Sequence, residues 1–286
     1  MILQLLTGGV LLGCVYGLVS MGLSLIYGVM GIVNFAHGAL VMLAMYVSYW
    51  LNTYVGLDPV LGTPLIALIM FGFGMMLYKL VISRVLKGPF LARMLVTFGL
   101  SIFFINMAQF LWSPDYRNIQ GAISKGTFML GSVFIELPKL VASIGSLIVA
   151  ALIYWFLRKT KTGLAIQAIS IDRSAASLMG INLEKLNAIA FGIGIACAGA
   201  AGSLLASYYY IFPVVGTMFG LVALVAVALG GFGSTEGALI GAILIGIIET
   251  LGGFYIGPEY KYALIFLSYV LIVIVRPKGL MGWGAD

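Results

Sequence analysis

The chain has 286 residues, of which 62% are hydrophobic and 8% charged, with a mean hydropathy of +1.15 and a formal net charge of +6. A water-soluble domain of this length carries about a quarter charged residues, so a soluble enzyme or a nucleic-acid-binding module is excluded. The apolar residues fall in long blocks, and about 20 in succession suffice to cross the roughly 30 Å hydrocarbon core as a helix.

Lipid offers no partner to backbone N–H and C=O groups, so the blocks are helices or the strands of a closed barrel. Barrel strands alternate apolar and polar residues, and no such alternation runs through the chain. The predicted fold class is therefore all-α, a polytopic transmembrane helix bundle of about eight to ten spans with broken helices, forming one domain over residues 1–286.

The opening residues Met1-Ile2-Leu3-Gln4 lack a basic stretch, and the apolar run behind them is too long for a signal peptide, so it reads as the first span. In chain order the candidate spans are Ile2–Met30, Gly38–Trp50, Val60–Val81, Met94–Trp112, Leu140–Leu157, Leu186–Ser207, Met218–Leu229, Leu239–Phe254 and Tyr262–Val275. Small residues recur every fourth position: Gly9, Gly13 and Gly17, then Gly194, Ala198 and Gly202, then Ala238, Ala242 and Gly246. That spacing lets helix backbones approach closely in lipid and predicts tight packing. Cys14 and Cys197 each lie inside an apolar block and read as small packing residues, with no companions for a disulfide or metal role.

Charge is distributed unequally between the connections. Lys79, Arg84, Lys87, Arg93, Arg158, Lys159, Lys161, Arg173, Lys185, Arg276 and Lys278 fall on one side of a nine-span arrangement, and Arg117, Lys125, Lys139 and Lys261 on the other. The positive-inside rule then places the N-terminus outside and the C-terminus in the cytoplasm.

Two interruptions look alike. Gly31-Ile32-Val33-Asn34-Phe35-Ala36-His37-Gly38-Ala39-Leu40 and Gly230-Gly231-Phe232-Gly233-Ser234-Thr235-Glu236-Gly237-Ala238-Leu239 each end an apolar run at glycine and restart a helix at Gly-Ala-Leu. Corresponding Gly-interrupted segments point to a translocation region. They also fit ordinary turns with Asn34 and Ser234 as N-caps. His37, the only histidine, lacks companions for a metal site. Glu249 sits well inside an apolar span, where a carboxylate is expected to be paired, protonated or lining a watery path. Asn34, Phe35, His37, Ser234 and Glu249 are thus the pathway candidates, with a structural hydrogen bond as the other reading of Glu249.

Residues 158–186 form the longest polar stretch on the basic side. Ile166, Ile169, Leu178 and Met179 fit the apolar faces of two short helices, with Asp172 or Ser174 capping the second and Gly180 ending it. The alanines and serines favour contact with a protein partner over lipid insertion.

The Asn34-Phe35-Ala36-His37-Gly38 run, the Asp172…Ala176…Met179-Gly180-Ile181-Asn182 loop and Gly230-Gly231-Phe232-Gly233-Ser234…Gly237-Ala238 together resemble the permease subunits of branched-chain (hydrophobic) amino acid ABC importers, of the LivH type. The resemblance covers essentially the whole chain. It implies a multi-pass permease of a bacterial or archaeal cytoplasmic (inner) membrane. Its partners would be a second permease, usually a paralogue, two cytoplasmic ATPase subunits and an extracytoplasmic substrate-binding protein. It further implies that Asp172, Ala175, Ala176, Met179, Gly180 and Ile181 belong to a coupling helix seated in an ATPase groove. Asp115, Arg117, Lys125 and Glu136 in the outer loop Ser113–Lys139, with Asp58 and Glu259, would help dock the binding protein. No G-x-x-x-x-G-K-[ST] phosphate loop occurs in the chain, so ATP hydrolysis is expected on a separate subunit and no cofactor on this one. Ala39, Gln167 and Glu236 depart from the usual residues of the family, and related permeases carry amides or urea. A stand-alone secondary transporter of a small solute is the rival from another class.

Overall fold

A computed structural model describes residues 1–119, 126–130, 133–276 and 279–281. Its helices are α1 (Ile2–Met30), α2 (His37–Val55), α3 (Pro59–Leu77), α4 (Ser83–Val85), α5 (Phe90–Trp112), α6 (Leu137–Lys159), α7 (Lys161–Ile171), α8 (Arg173–Leu178), α9 (Leu183–Leu205), α10 (Val215–Gly230), α11 (Thr235–Tyr255) and α12 (Lys261–Val275). A π-helical stretch, Tyr78–Ile82, joins α3 to α4, so Pro59–Val85 is one continuous span. Among the described residues, seven helical segments are long and apolar enough to cross a membrane; α10 is a shorter apolar helix and α2 has 19 residues. The nine expected spans are all present as helices, and the protein is an all-α polytopic bundle.

Most of these helices run a few residues beyond the apolar blocks. Phe90–Arg93 is helical ahead of Met94, and Leu183–Lys185 ahead of Leu186. Long basic side chains at such ends reach the interface from within a helix, so a charge does not mark a span's limit. The connection between α5 and α6 also holds a short antiparallel hairpin of β1 (Thr127–Leu130) and β2 (Val133–Glu136), with Phe128 opposite Ile135. The hairpin is tied to α1 by Gln4, whose amide donates to the Phe134 carbonyl at 2.6 Å and accepts from the Phe134 N–H at 2.8 Å.

Antiparallel packing of α1 on α11 forms the centre. A Cβ placed on Gly13 would lie 2.6 Å from the Ile243 Cα, and one on Gly9 would lie 2.7 Å from the Ile247 Cα. The first and third glycine-alanine stripes thus form one seam. The stripe on α9 faces other neighbours: a Cβ on Gly202 would meet the Val41 carbonyl of α2 at 2.6 Å. On the flank of α9, α3 runs antiparallel to it, with Gly74 beside Gly192 and the Ser203 hydroxyl donating to the Pro59 carbonyl at 2.7 Å.

These pairings bring the basic connections to one end. There Arg158 pairs with Glu236 at 2.5 Å, Arg173 reaches the Val29 carbonyl at 3.4 Å, and Leu280 N–H donates to Leu229 at 2.9 Å. Lys79, Arg84, Lys87, Arg93, Arg158, Lys159, Lys161, Arg173, Lys185 and Arg276 share this end, while Arg117, Lys139 and Lys261 lie at the other. Lys278 and Lys125 fall outside the described residues.

Replacing Gly13 with leucine drives a side chain into the α11 backbone, and overpacking of this kind costs about 1–3 kcal/mol or more. The variant is expected to unfold at a clearly lower temperature than the parent when both are purified in the same detergent. Replacing Gly72, which has nothing within 4 Å of its Cβ position, should leave the unfolding temperature near that of the parent.

Candidate translocation and docking sites

The first interruption turns back into the bundle. Gly31 ends α1 in a left-handed conformation (φ 64°), its N–H donating to Tyr27 at 2.7 Å. Residues 31–36 then run non-helically between α1 and α5: the Thr97 hydroxyl donates to the Val33 carbonyl at 3.2 Å. By His37 the chain is beside the middle of α1, where the imidazole Nε2 donates to the Val19 carbonyl at 3.0 Å. Helix α2 therefore starts inside the protein, with Gly38 packed against Gly216 and Gly220 of α10.

Asn34 does not cap α2. Its Oδ1 accepts from the Ala36 N–H at 3.2 Å, closing a local turn, and Ala36 occupies the N-cap position without a side-chain bond. Asn34 and His37 are each 1% exposed. The Asn34 Nδ2 and the His37 Nδ1 have no protein partner. With Nε2 carrying the proton given to Val19, Nδ1 is an acceptor, so a buried donor and a buried acceptor stand three residues apart. Phe35 is half-buried and meets the Phe98 ring edge-on at 6.5 Å.

The second interruption is a tight turn at the basic end. Ser234 caps α11, accepting from the Gly237 N–H at 3.0 Å. The two corners touch, with the Tyr27 and Phe232 rings 4.6 Å apart and the Gly233 Cα 3.2 Å from a Cβ placed on Gly28. They share an end of the bundle but differ in form, because only the first continues as a buried non-helical segment.

Glu249 lies nearer the other end. It is 6% exposed, accepting from the Tyr16 hydroxyl at 2.9 Å on Oε2 and from the Lys261 ammonium at 3.0 Å on Oε1. The pairing with Lys261 crosses the turn between α11 and α12, a contact that the sequence shows only as a lysine twelve residues on. The partners of Ser234 lie in its own turn and those of Glu249 on α1 and α12, so the five pathway candidates occupy three separate places. Among the described residues, no group of three or more His, Cys, Asp and Glu side chains is placed to hold a metal ion.

The long basic connection folds as expected into two short helices. Thr160 caps α7 through the Gly163 N–H at 3.0 Å, and Ile166 and Ile169 are buried against the bundle. Asp172 caps α8, accepting from the N–H groups of Ser174 and Ala175 at 2.8 and 2.9 Å, a cap worth about 0.5–2 kcal/mol. Gly180 follows in a left-handed conformation (φ 79°), and the Ile181 N–H bonds back to the Ala176 carbonyl at 3.2 Å, a closure that glycine favours. Asn182 then caps α9 through the Lys185 N–H at 3.0 Å.

This frame points Ala176 inward at 4% exposure and leaves Leu178 and Met179 bare at 89% and 82%. The sequence suggested that Leu178 and Met179 complete an apolar face as Ile166 and Ile169 do; instead they stand free at the tip, beside exposed Ala175. A short α8 cannot turn both its alanine and its leucine towards the bundle.

Comparison with known proteins places this geometry. Residues 5–275 match the family described as branched-chain amino acid transport system / permease component. The chain is 32% identical to the high-affinity branched-chain amino acid transport system permease protein LivH of Escherichia coli K12, over 98% of this chain and 95% of that protein. It is 29% identical to BraD of Pseudomonas aeruginosa over the same shares, and 25% identical to LivM of Salmonella typhimurium over 93% of this chain and 68% of that protein. Among solved structures, PsaBC from Streptococcus pneumoniae shares the fold at a TM-score of 0.50 and 12% identity, covering 96% of this chain and 93% of that one. The match over nearly the full length, with the helices and capped loop in their expected order, makes this chain a member of the branched-chain amino acid transport permease family and a multi-pass membrane protein.

Proposed function

We propose that the chain is the membrane-spanning permease subunit of an ATP-driven importer, translocating branched-chain or other hydrophobic amino acids delivered by an extracytoplasmic binding protein. The bare Leu178–Met179 tip on a doubly capped helix pair carries this reading. An apolar knob held in a fixed shape at the basic end fits a groove on another protein. The positive-inside rule makes that end, and with it the C-terminus, cytoplasmic. Two ATPase subunits would seat there, engaging the segment from Asp172 through Ala175, Ala176, Met179, Gly180 and Ile181. The likeness to both LivH and LivM supports a paralogous permease as the second membrane subunit. Family membership and the docking knob weigh against a stand-alone secondary transporter.

Transport follows as alternating access driven by the differing affinity of the ATPases for ATP in the two states. Closure of the ATPases moves α7 and α8, and their contacts pass the motion inward: Arg173 bonds the end of α1, and Arg158, beside α7, pairs with Glu236 at the start of α11. The buried donor of Asn34 and acceptor of His37 line the moving centre, and Ser234 fixes the corner beside them. Glu249 is a support. Its pair with Lys261 pins α12 to α11, and α12 is the least buried of the long spans.

Replacing Leu178 and Met179 together with aspartate is expected to leave insertion and assembly intact. Uptake and substrate-stimulated ATPase activity in proteoliposomes should fall by about tenfold or more, the scale of losing an interface hot spot. Normal uptake and normal stimulated ATPase in that variant would refute the docking assignment. Ala176 is a poorer probe, because a bulky group at this inward-facing position distorts the loop itself.

Lys261→Met strands a buried carboxylate. Breaking such a pair costs about 3–5 kcal/mol, the low end applying because Lys261 is partly exposed. Glu249→Gln in the same chain keeps a partner for Tyr16 and should recover most of the loss in thermal unfolding. A double variant no more stable than Lys261→Met alone rules out the pairing as the source of the effect.

A further inference from the structure

A groove of about 470 Å³ opens on the side of the bundle between α3, α6 and α9. Its walls are Phe71, Leu152, Phe156, Ile189 and Ile193, and its one polar lining side chain, Thr162, stands at the basic end. Around it the same helices present bare apolar groups, Leu68 at 66% exposure, Leu152 at 59% and Trp155 at 59%, as a lipid-facing surface does.

The helical stripes of α6 and α9 that build this groove continue into lysines at the basic end. Lys159 is three residues beyond Phe156 on α6 and Lys185 is four residues before Ile189 on α9, while Lys161, the first residue of α7, stands at the same end. Positions three and four apart share a helix face. All three lysines are exposed, and among the described residues none is in an ion pair, whereas neighbouring Arg158 is held by Glu236. Glu184 precedes Lys185 directly, and adjacent helical positions do not face each other. Asp172 is engaged by the N-terminus of α8.

We propose that this groove binds an anionic phospholipid of the leaflet at the basic end, an acyl chain lying along Phe71, Leu152 and Ile193 and the headgroup phosphate meeting Lys159, Lys161 and Lys185. Basic residues between transmembrane helices on the cytoplasmic side recognise anionic headgroups in this way. A second permease helix approaches most closely over small residues, whereas most of this groove's lining is phenylalanine, leucine, isoleucine and valine, with Ala67 and Ala196 its alanines. The bound lipid would rest against the root of α7, beside the docking loop, and so hold the α6–α7 corner.

The test uses the protein in nanodiscs of equal phosphatidylglycerol and phosphatidylethanolamine, extracted into mild detergent and weighed with its retained lipid by native mass spectrometry. The parent should retain phosphatidylglycerol in preference. Lys159→Gln, Lys161→Gln and Lys185→Gln together should lower that retention about tenfold while leaving phosphatidylethanolamine unchanged. Ala196→Phe, which fills the groove, should lower phosphatidylglycerol retention with all three lysines in place; both variants are first checked for a parental unfolding temperature. Equal retention of the two lipids by the parent, or unchanged phosphatidylglycerol in the lysine variant, overturns the proposal. So does efficient cross-linking of Leu152→Cys to a companion subunit, which would make the groove a protein interface.

Discussion

Contact between the backbones of α1 and α11 is the constraint on which the rest of the bundle rests. In lipid no hydrophobic force draws helices together, so association comes from dispersion over closely fitted surfaces. Glycine at positions 9 and 13 of one helix and small residues at 242 and 246 of the other bring main chain against main chain. That fit carries the α1 and α11 ends with it. Gly28 meets Gly233, Tyr27 meets Phe232, and the two interruptions of the chain become one corner at the basic end. Every polar element near that corner, from the Arg158–Glu236 pair to the C-terminal segment bonded to Leu229 and Gly230, is positioned by it.

The same fit makes a non-helical segment tolerable inside the bundle. Backbone groups at membrane depth must be satisfied by protein or line a watery cavity. Residues 31–36 meet part of that demand through Thr97 on the Val33 carbonyl, the Asn34 side chain on the Ala36 N–H and the His37 N–H on the Asn34 carbonyl. His37 in turn holds the Val19 carbonyl, and α2 can then begin against α10 at Gly38. Two buried side-chain atoms of this segment, Asn34 Nδ2 and His37 Nδ1, have no protein partner. A buried donor and acceptor without protein partners are costly in a resting structure, about 1–3 kcal/mol each. Glu249 follows the opposite logic, because both its oxygens are engaged and its charge is matched by Lys261.

At the basic end the protein separates rigidity from exposure. Three side-chain caps, Thr160, Asp172 and Asn182, fix α7, α8 and the start of α9, and Gly180 supplies the one left-handed residue that the return to α9 requires. Little apolar area holds this loop; Ile166, Ile169 and Ala176 anchor it while Leu178 and Met179 stay in water. A preformed knob binds with less ordering cost than a flexible one. The loop is tied directly to two spans, since α7 follows α6 after a single intervening residue and Arg173 bonds the end of α1.

Composition and periodicity alone determined that this chain is a helical membrane bundle of about eight to ten apolar spans, and that its basic connections share one side. Those properties follow from the bilayer, which imposes length, apolarity and backbone closure on each segment separately. The capped loop was legible in part for the same reason, because Asp172 and Gly180 act on backbone within a few residues of themselves, whereas the Asn182 cap on α9 was not foreseen. Only the tertiary structure decided that Asn34 forms an internal turn, that His37 reaches Val19, that Glu249 is paired with Lys261, and that Leu178 and Met179 are bare. Each of these depends on which helix lies beside which. That choice is made by the closeness of backbones at glycine, an interaction between segments far apart in the chain that no local pattern encodes.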